Sequence, residues 1–162
     1  MSGILSALIG IFERLWLSHP RRDLTRSLVE LRDAMTRTQD AYRRHCRVVE
    51  AGGDYVASHS DWLRNVAELE AALQHVKVAL EIHAPKAHQQ IRDYTLSEQA
   101  AVAAGPEPQD LASLYDAARR EIDRLDLEEV WVEKSFGVVR AELDLYLRQN
   151  FTAEEIHRAS GT

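Results

Sequence analysis

The sequence predicts an all-α fold: a helical bundle of three long antiparallel helices, preceded by an amphipathic helix and completed by short connecting and C-terminal helices. Three observations predict it. Apolar residues recur at alternating spacings of four and three through most of the chain, which is the rhythm of helices packed lengthwise. The seven Gly and four Pro are few and cluster between those periodic runs. The one stretch that would suit a strand, Val130-Trp131-Val132, has no candidate partner strand elsewhere.

Residues 3–17 come first. At 100° per residue, Ile4, Leu5, Leu8, Ile9, Ile11, Phe12, Leu15 and Trp16 share an arc of roughly 160°, and Ser6, Gly10, Glu13 and Arg14 lie opposite. The run falls short of the ~20 apolar residues that span a bilayer. It also lacks the basic flank and cleavage site of a secretory signal, and Met-Ser-Gly departs from the myristoylation pattern. The pattern therefore predicts an amphipathic helix that lies on something. Ser18-His19-Pro20 is expected to break it, because the residue before a proline avoids the α region.

The next helix is expected over 20–51, with the seam Leu24, Leu28, Leu31, Met35, Thr38, Tyr42, His45 and Val49, ending at Gly52-Gly53. A loop to residue 60 and a capping box at Ser58-His59-Ser60-Asp61 should open the central helix, 59–83. Its seam is Trp62, Val66, Leu69, Leu73, Val76, Leu80 and His83. Leu63, Ala67, Ala71, Ala72, Val78, Ala79 and Ile82 put apolar groups on the other faces too, so burial on several sides is expected. Ala84-Pro85 closes it. Short helices follow near 86–104, with a second capping box at Thr95-Leu96-Ser97-Glu98, and Gly105-Pro106-Glu107-Pro108 reads as a linker. The last long helix, 109–149, keeps one rhythm from Leu111 to Tyr146 except at Glu129, and a kink or restart is expected near Asp126. Asn150 ends it, and Thr152-Ala153-Glu154-Glu155 caps a short helix near 153–159.

Length and charge bound the function. A chain of 162 residues suits a single domain. The lone Cys46 precludes an internal disulfide and fits a reducing, cytoplasmic compartment. Arg outnumbers Lys seventeen to three, the usage of a GC-rich bacterial genome. A net charge of −6 argues against nucleic acid as a partner. The charge is uneven: residues 1–47 carry nine basic and five acidic groups, +4, whereas 48–162 carry eleven and twenty-one, −10.

Catalytic and metal motifs are weak. His75, His83 and His88 gather with Glu81 near Pro85, but 75 and 83 are eight residues apart, about 12 Å along a helix, too far to share an ion. His45 and Cys46 are adjacent and so point about 100° apart, which prevents a thiol–base pair. Arg14-Leu-Trp-Leu-Ser-His19 has the Arg-x4-His spacing of helical ribonucleases of the HEPN type. That resemblance would imply RNA cleavage by Arg14 and His19. The residue after Arg14 is apolar where that family favours a polar one, and the segment runs into Pro20.

The expected function is thus a non-enzymatic helical interaction module, with no cofactor and no metal. It would bind a protein partner or a second copy through its heptad faces. Ile4, Leu8, Ile11, Phe12, Leu15 and Trp16, with Arg21, Arg22 and Arg26, would form the docking element. Two alternatives stand beside it: a peripheral membrane-surface protein anchored by residues 3–17, and a small hydrolase or nuclease. Thr38, His45, His83 and Glu129 are polar groups in apolar seams, positions that set register or partner choice.

Overall fold

The computed structural model describes the backbone of residues 2–91, 110–127 and 133–161, and the side chains of 21–89, 91, 110–123 and 136–161. The described chain is all-α: α1 (Ser2–Glu50), α2 (Tyr55–His83), α3 (Pro85–Gln90), α4 (Leu111–Leu127), α5 (Glu133–Asn150) and α6 (Ala153–Ala159). No described helix is long and apolar enough to cross a membrane.

The expected break at Ser18-His19-Pro20 is absent. Residues 2–50 form one helix of 49 residues, roughly 74 Å long at 1.5 Å per residue. A proline inside a helix removes one N–H···O=C bond and crowds the carbonyl four residues back, at about 3 kcal/mol. Strongly helical sequence on both sides outweighs that local cost, because a helix once nucleated propagates cheaply. The C-terminal signal acts as expected. Gly52 takes φ 67°, and the amides of Gly52 and Gly53 donate to the carbonyls of Val49 and Val48 at 3.0 and 2.9 Å.

The turn is shorter than the sequence suggests. Asp54, not Ser58, caps α2, accepting from the Val56 amide at 3.0 Å, so the helix begins four residues before the expected 59. The earlier cap leaves the Ser58 hydroxyl inside the first turn, where it donates to the Tyr55 carbonyl at 3.0 Å.

α1 and α2 form an antiparallel hairpin whose register is marked by ion pairs. Asp23 pairs with His83, Glu30 with His75, Arg37 with Glu68 and Arg44 with Asp61. Steps of seven along α1 answer steps of seven or eight back along α2, one pair per two turns. Each pair has at least one exposed partner and is individually weak; together they show that α2 ends opposite Asp23. The first twenty residues of α1 therefore carry the helix beyond the level at which α2 stops.

α5 runs antiparallel to α1 on another side, with Gly137 against Gln39, Asp144 3.3 Å from Arg32, and the Asn150 carbonyl 2.8 Å from Arg21. Leu28, Leu31 and Met35 of α1, Leu69, Leu73, Val76 and Leu80 of α2, Tyr115, Ala118 and Ile122 of α4, and Phe136, Leu143 and Leu147 of α5 make one core. Most of the expected seams are thus buried. Val49, beside the turn, is half exposed.

α2 is not buried on all sides. Leu63, Val78 and Ile82 are 50, 43 and 65 % exposed, and Ala67 and Ala71 are exposed beside them. Only Ala72 and Ala79 join the seam inside. Neighbours cover the heptad seam and one flank, and alanine spacing elsewhere brings no further helix onto it.

The remaining expectations divide. Pro85 opens α3 as its first residue, and Asp110 accepts from the Ser113 amide at 2.8 Å to start α4. Thr152 and Glu155 make the reciprocal capping box of α6. Asp126 lies in the last turn of α4 and not at a helix start, and α5 begins at Glu133. A cap requires non-helical backbone, which Asp126 does not have. The box at Thr95, the linker at 105–108 and Glu129 fall outside the described residues.

Candidate functional site: the root of the N-terminal helix

The heptad rhythm of α1 locates the docking candidates on the helix. Carried backward through the unbroken backbone from Leu28 and Leu24, the buried seam continues through positions 21, 17, 14, 10, 7 and 3. Those are Arg21, Leu17, Arg14, Gly10, Ala7 and Gly3, with one large apolar residue among them. The large apolar residues occupy the next two positions of the screw: Ile4, Leu8, Ile11 and Leu15 one step on, Leu5, Ile9, Phe12 and Trp16 two steps on. At 100° per step their arc is centred roughly 150° from the seam. The amphipathic pattern of α1 therefore changes sides near Pro20. The first of those two lines continues into Arg22, and the second into Asp23, which pairs with His83, and then Arg26. The side chains of Arg22 and Arg26 are exposed.

The side chains of Ile4, Leu8, Ile11, Phe12, Leu15, Trp16, Arg14 and His19 lie outside the described residues; their helix path alone is described. The three arginines are described, and they differ. Arg21 is anchored. Its Nε is 2.6 Å from Glu155 Oε1, its Nη2 donates to the Asn150 carbonyl at 2.8 Å, and its guanidinium lies 4.9 Å from the Phe151 ring centre. It thereby caps the C-terminal end of α5 and holds α6 against α1. The bond from Arg21, with the capping amide of Thr152, lowers the Glu155 carboxyl from 4.5 to about 2, and Arg21 is raised in return. Arg22 and Arg26 pair with no acidic group among the described residues. They stand one turn apart, where like charges repel weakly.

These residues border a cleft of about 390 Å³ between α1 and α6, lined by Arg21, Arg22, Thr25, Arg26, Glu155 and Arg158 with Ala159 and Gly161. Four arginines face one glutamate there. Arg158 is shared with Glu154, and Arg21 with Glu155. The Thr25 hydroxyl donates to the Arg21 carbonyl at 2.6 Å and is spent on the helix. What remains uncommitted is the cationic pair Arg22 and Arg26, so the cleft suits an anion.

The polar seam residues are engaged in building the hairpin. Thr38, fully buried, has its hydroxyl 2.8 Å from the Ala34 carbonyl and 3.1 Å from the Asn65 carbonyl across the seam. His83 Nε2 lies 3.3 Å from Asp23 Oδ2, and His75 Nδ1 3.2 Å from Glu30 Oε1. His45 Nδ1 is 2.9 Å from Ser58 Oγ, and its ring stacks on Trp62 at 8° with His59 at 5.3 Å. Tyr42 completes this aromatic cluster, 5.5 Å from Trp62. His75, His83 and His88 do not come together with Glu81 as a metal cluster; no group of three potential ligands occurs among the described residues.

Sequence reasoning missed Glu155 and Arg158 as members of this site. Glu155 was legible as a capping residue, but its bond to Arg21 spans 134 positions and leaves no local pattern. The single available signal was the excess of positive charge on residues 1–47 over the rest. No protein-family model, no curated protein and no solved structure matches this chain.

Proposed function

We propose that the protein is a non-enzymatic helical docking module whose working surface is the apolar arc of residues 3–17. One observation carries the reading. On an unbroken α1 the stretch that carries the arc extends beyond the level, opposite Asp23, at which α2 ends. A cover from the protein's own hairpin would require the helix to break and fold back. Eight large apolar side chains on one arc are seldom left in water, so the cover comes from outside the hairpin. The engagement of Thr38, His83, His75 and His45 within the hairpin supports a scaffold role for those residues in place of catalysis.

The test is Leu8→Glu with Phe12→Glu in the full chain, followed by assembly mass, vesicle partition and thermal melting. The module reading expects an unchanged melt, with loss of self-association, partner capture or vesicle binding. A lower melting temperature with uptake of a hydrophobic dye would show that the arc covers this protein's own core, and would refute the reading.

A further inference from the structure

We infer that the exposed face of α2 is a self-association surface, on which a second copy of the chain lays its own α2 antiparallel. This surface is separate from residues 3–17, and its occupant is identified by charge.

The face is apolar along its middle. At 100° per residue, Leu63, Ala67, Ala71, Val78 and Ile82 share an arc of about 100° on the side of α2 away from its buried seam. Leu63, Val78 and Ile82 are 50, 43 and 65 % exposed, and the two alanines are exposed with them. Gln74 is the polar residue within the arc, and Arg64 and Glu81 stand at its edges. Leu63 to Ile82 covers roughly 29 Å of helix, a contact at the small end of specific interfaces, so the dimer would be a reversible one.

The hairpin ion pairs say which way round a second copy fits. Asp23–His83 and Glu30–His75 put acids on α1 and bases on α2, whereas Arg37–Glu68 and Arg44–Asp61 do the reverse. A half-turn about the middle of that row, close to Ala72, sets each order against its opposite. Glu68 then comes within about two positions of His75 in the second copy, with Arg37 beside Glu30 behind them. On the far edge of α2, Glu70 comes equally close to Lys77 of the second copy, and Arg64 falls level with Glu81. Every one of these pairings occurs twice. The same half-turn lays Leu63 beside Ile82, Ala67 beside Val78 and Ala71 beside Gln74. A parallel copy would instead set Glu68 on Glu68 and Glu70 on Glu70.

Sedimentation equilibrium of the full chain over a wide concentration range tests this, and a monomer–dimer equilibrium is expected. Val78→Glu with Ile82→Glu should leave a monomer with an unchanged melt in dilute solution. Glu70→Lys and Lys77→Glu, made singly, each place two like-charged pairs in the dimer and should weaken it roughly tenfold. Mixed together, those two variants should form a heterodimer about as tight as the native dimer, because each then meets its opposite. A monomer at every concentration, a dimer indifferent to the Val78 and Ile82 changes, or a mixture no tighter than its components would overturn the inference. A lower melt for the Val78 and Ile82 variant in dilute solution would show that the face is covered by its own chain, and would overturn it equally. If assembly is lost with Leu8→Glu and Phe12→Glu and not with the α2 changes, the contact lies on the arc: this inference fails and the docking reading stands.

Discussion

Pro20→Ala tests the feature on which the functional reading depends. Pro20 is 18 residues from the first residue of α1 and 30 from the last, well inside the helix. Alanine there restores an amide that can donate to the Trp16 carbonyl and removes the ring from the preceding turn. In a helix interior that exchange is worth about 3 kcal/mol. The gain should not appear in full in global unfolding. Residues 2–20 extend past the end of α2, so they can open without disturbing the core, and local openings draw on local stability. Amide hydrogen exchange of residues 5–19 in the full chain is therefore the assay. At about 1.4 kcal/mol per tenfold, exchange there should slow by up to roughly a hundredfold, while the melting midpoint moves little. The opposite result has a clear meaning. If Pro20 opened a separate helix, its missing amide would cost nothing and its fixed φ would help. Pro20→Ala would then leave exchange unchanged or faster and lower the melt. That outcome would refute the unbroken helix, and with it the placement of the apolar arc.

Two further predictions concern the bundle. Leu69→Ala should cost about 3–4 kcal/mol, from the lost transfer free energy of three buried carbons and a residual cavity, whereas Ile82→Ala, 65 % exposed, should cost under about 0.5 in the same urea titrations; equal costs would show that α2 is surrounded after all. Glu155→Gln should cost about 1 kcal/mol at neutral pH, because Arg21 is half exposed and its side of the pair is screened by solvent. The Glu155 carboxyl is held near 2 in the folded chain against an ordinary 4.5, so its contribution is complete above about 4.5 and is lost as pH falls toward 2. Melts of the two proteins should accordingly converge across that window, and a gap persisting at pH 2 would contradict the assignment.

The parts of the fold that were legible are those governed by short-range pattern. The seams from Leu28 to Met35 and from Val66 to Leu80 follow from heptad spacing alone, and Gly52, Pro85, Asp110 and Thr152 mark boundaries through their own backbone chemistry. Errors arose where two local rules competed. Asp54 and Ser58 could both cap α2, and the earlier one prevails: its carboxylate accepts from the Val56 amide and adds a turn of helix, although Tyr55 and Val56 stay exposed. Pro20 signalled a boundary, yet its cost of about 3 kcal/mol falls on one position while helix runs on either side. The apolar residues of α2 were overcounted because periodicity tells which faces are apolar and not how many neighbours exist to cover them. Leu63, Val78 and Ile82 show the consequence.

The candidate site was half legible, and the missing half explains why the continuity of α1 matters. The sequence alone singled out the arc of 3–17 and Arg21, Arg22 and Arg26, but as two neighbouring features joined at a supposed break. With a break, the relative rotation of arc and arginines is free, and the arc can fold back onto the core. Without one, the helical screw sets that rotation: each residue advances about 100°, and the arc comes to share a side with Arg22, Asp23 and Arg26. Arg21, one step earlier, falls in line with the buried seam, where Glu155 and the Asn150 carbonyl engage it. Of the three arginines, Arg21 is thus a structural clamp, whereas Arg22 and Arg26 pair with no acidic group among the described residues. Only the unbroken backbone distinguishes them.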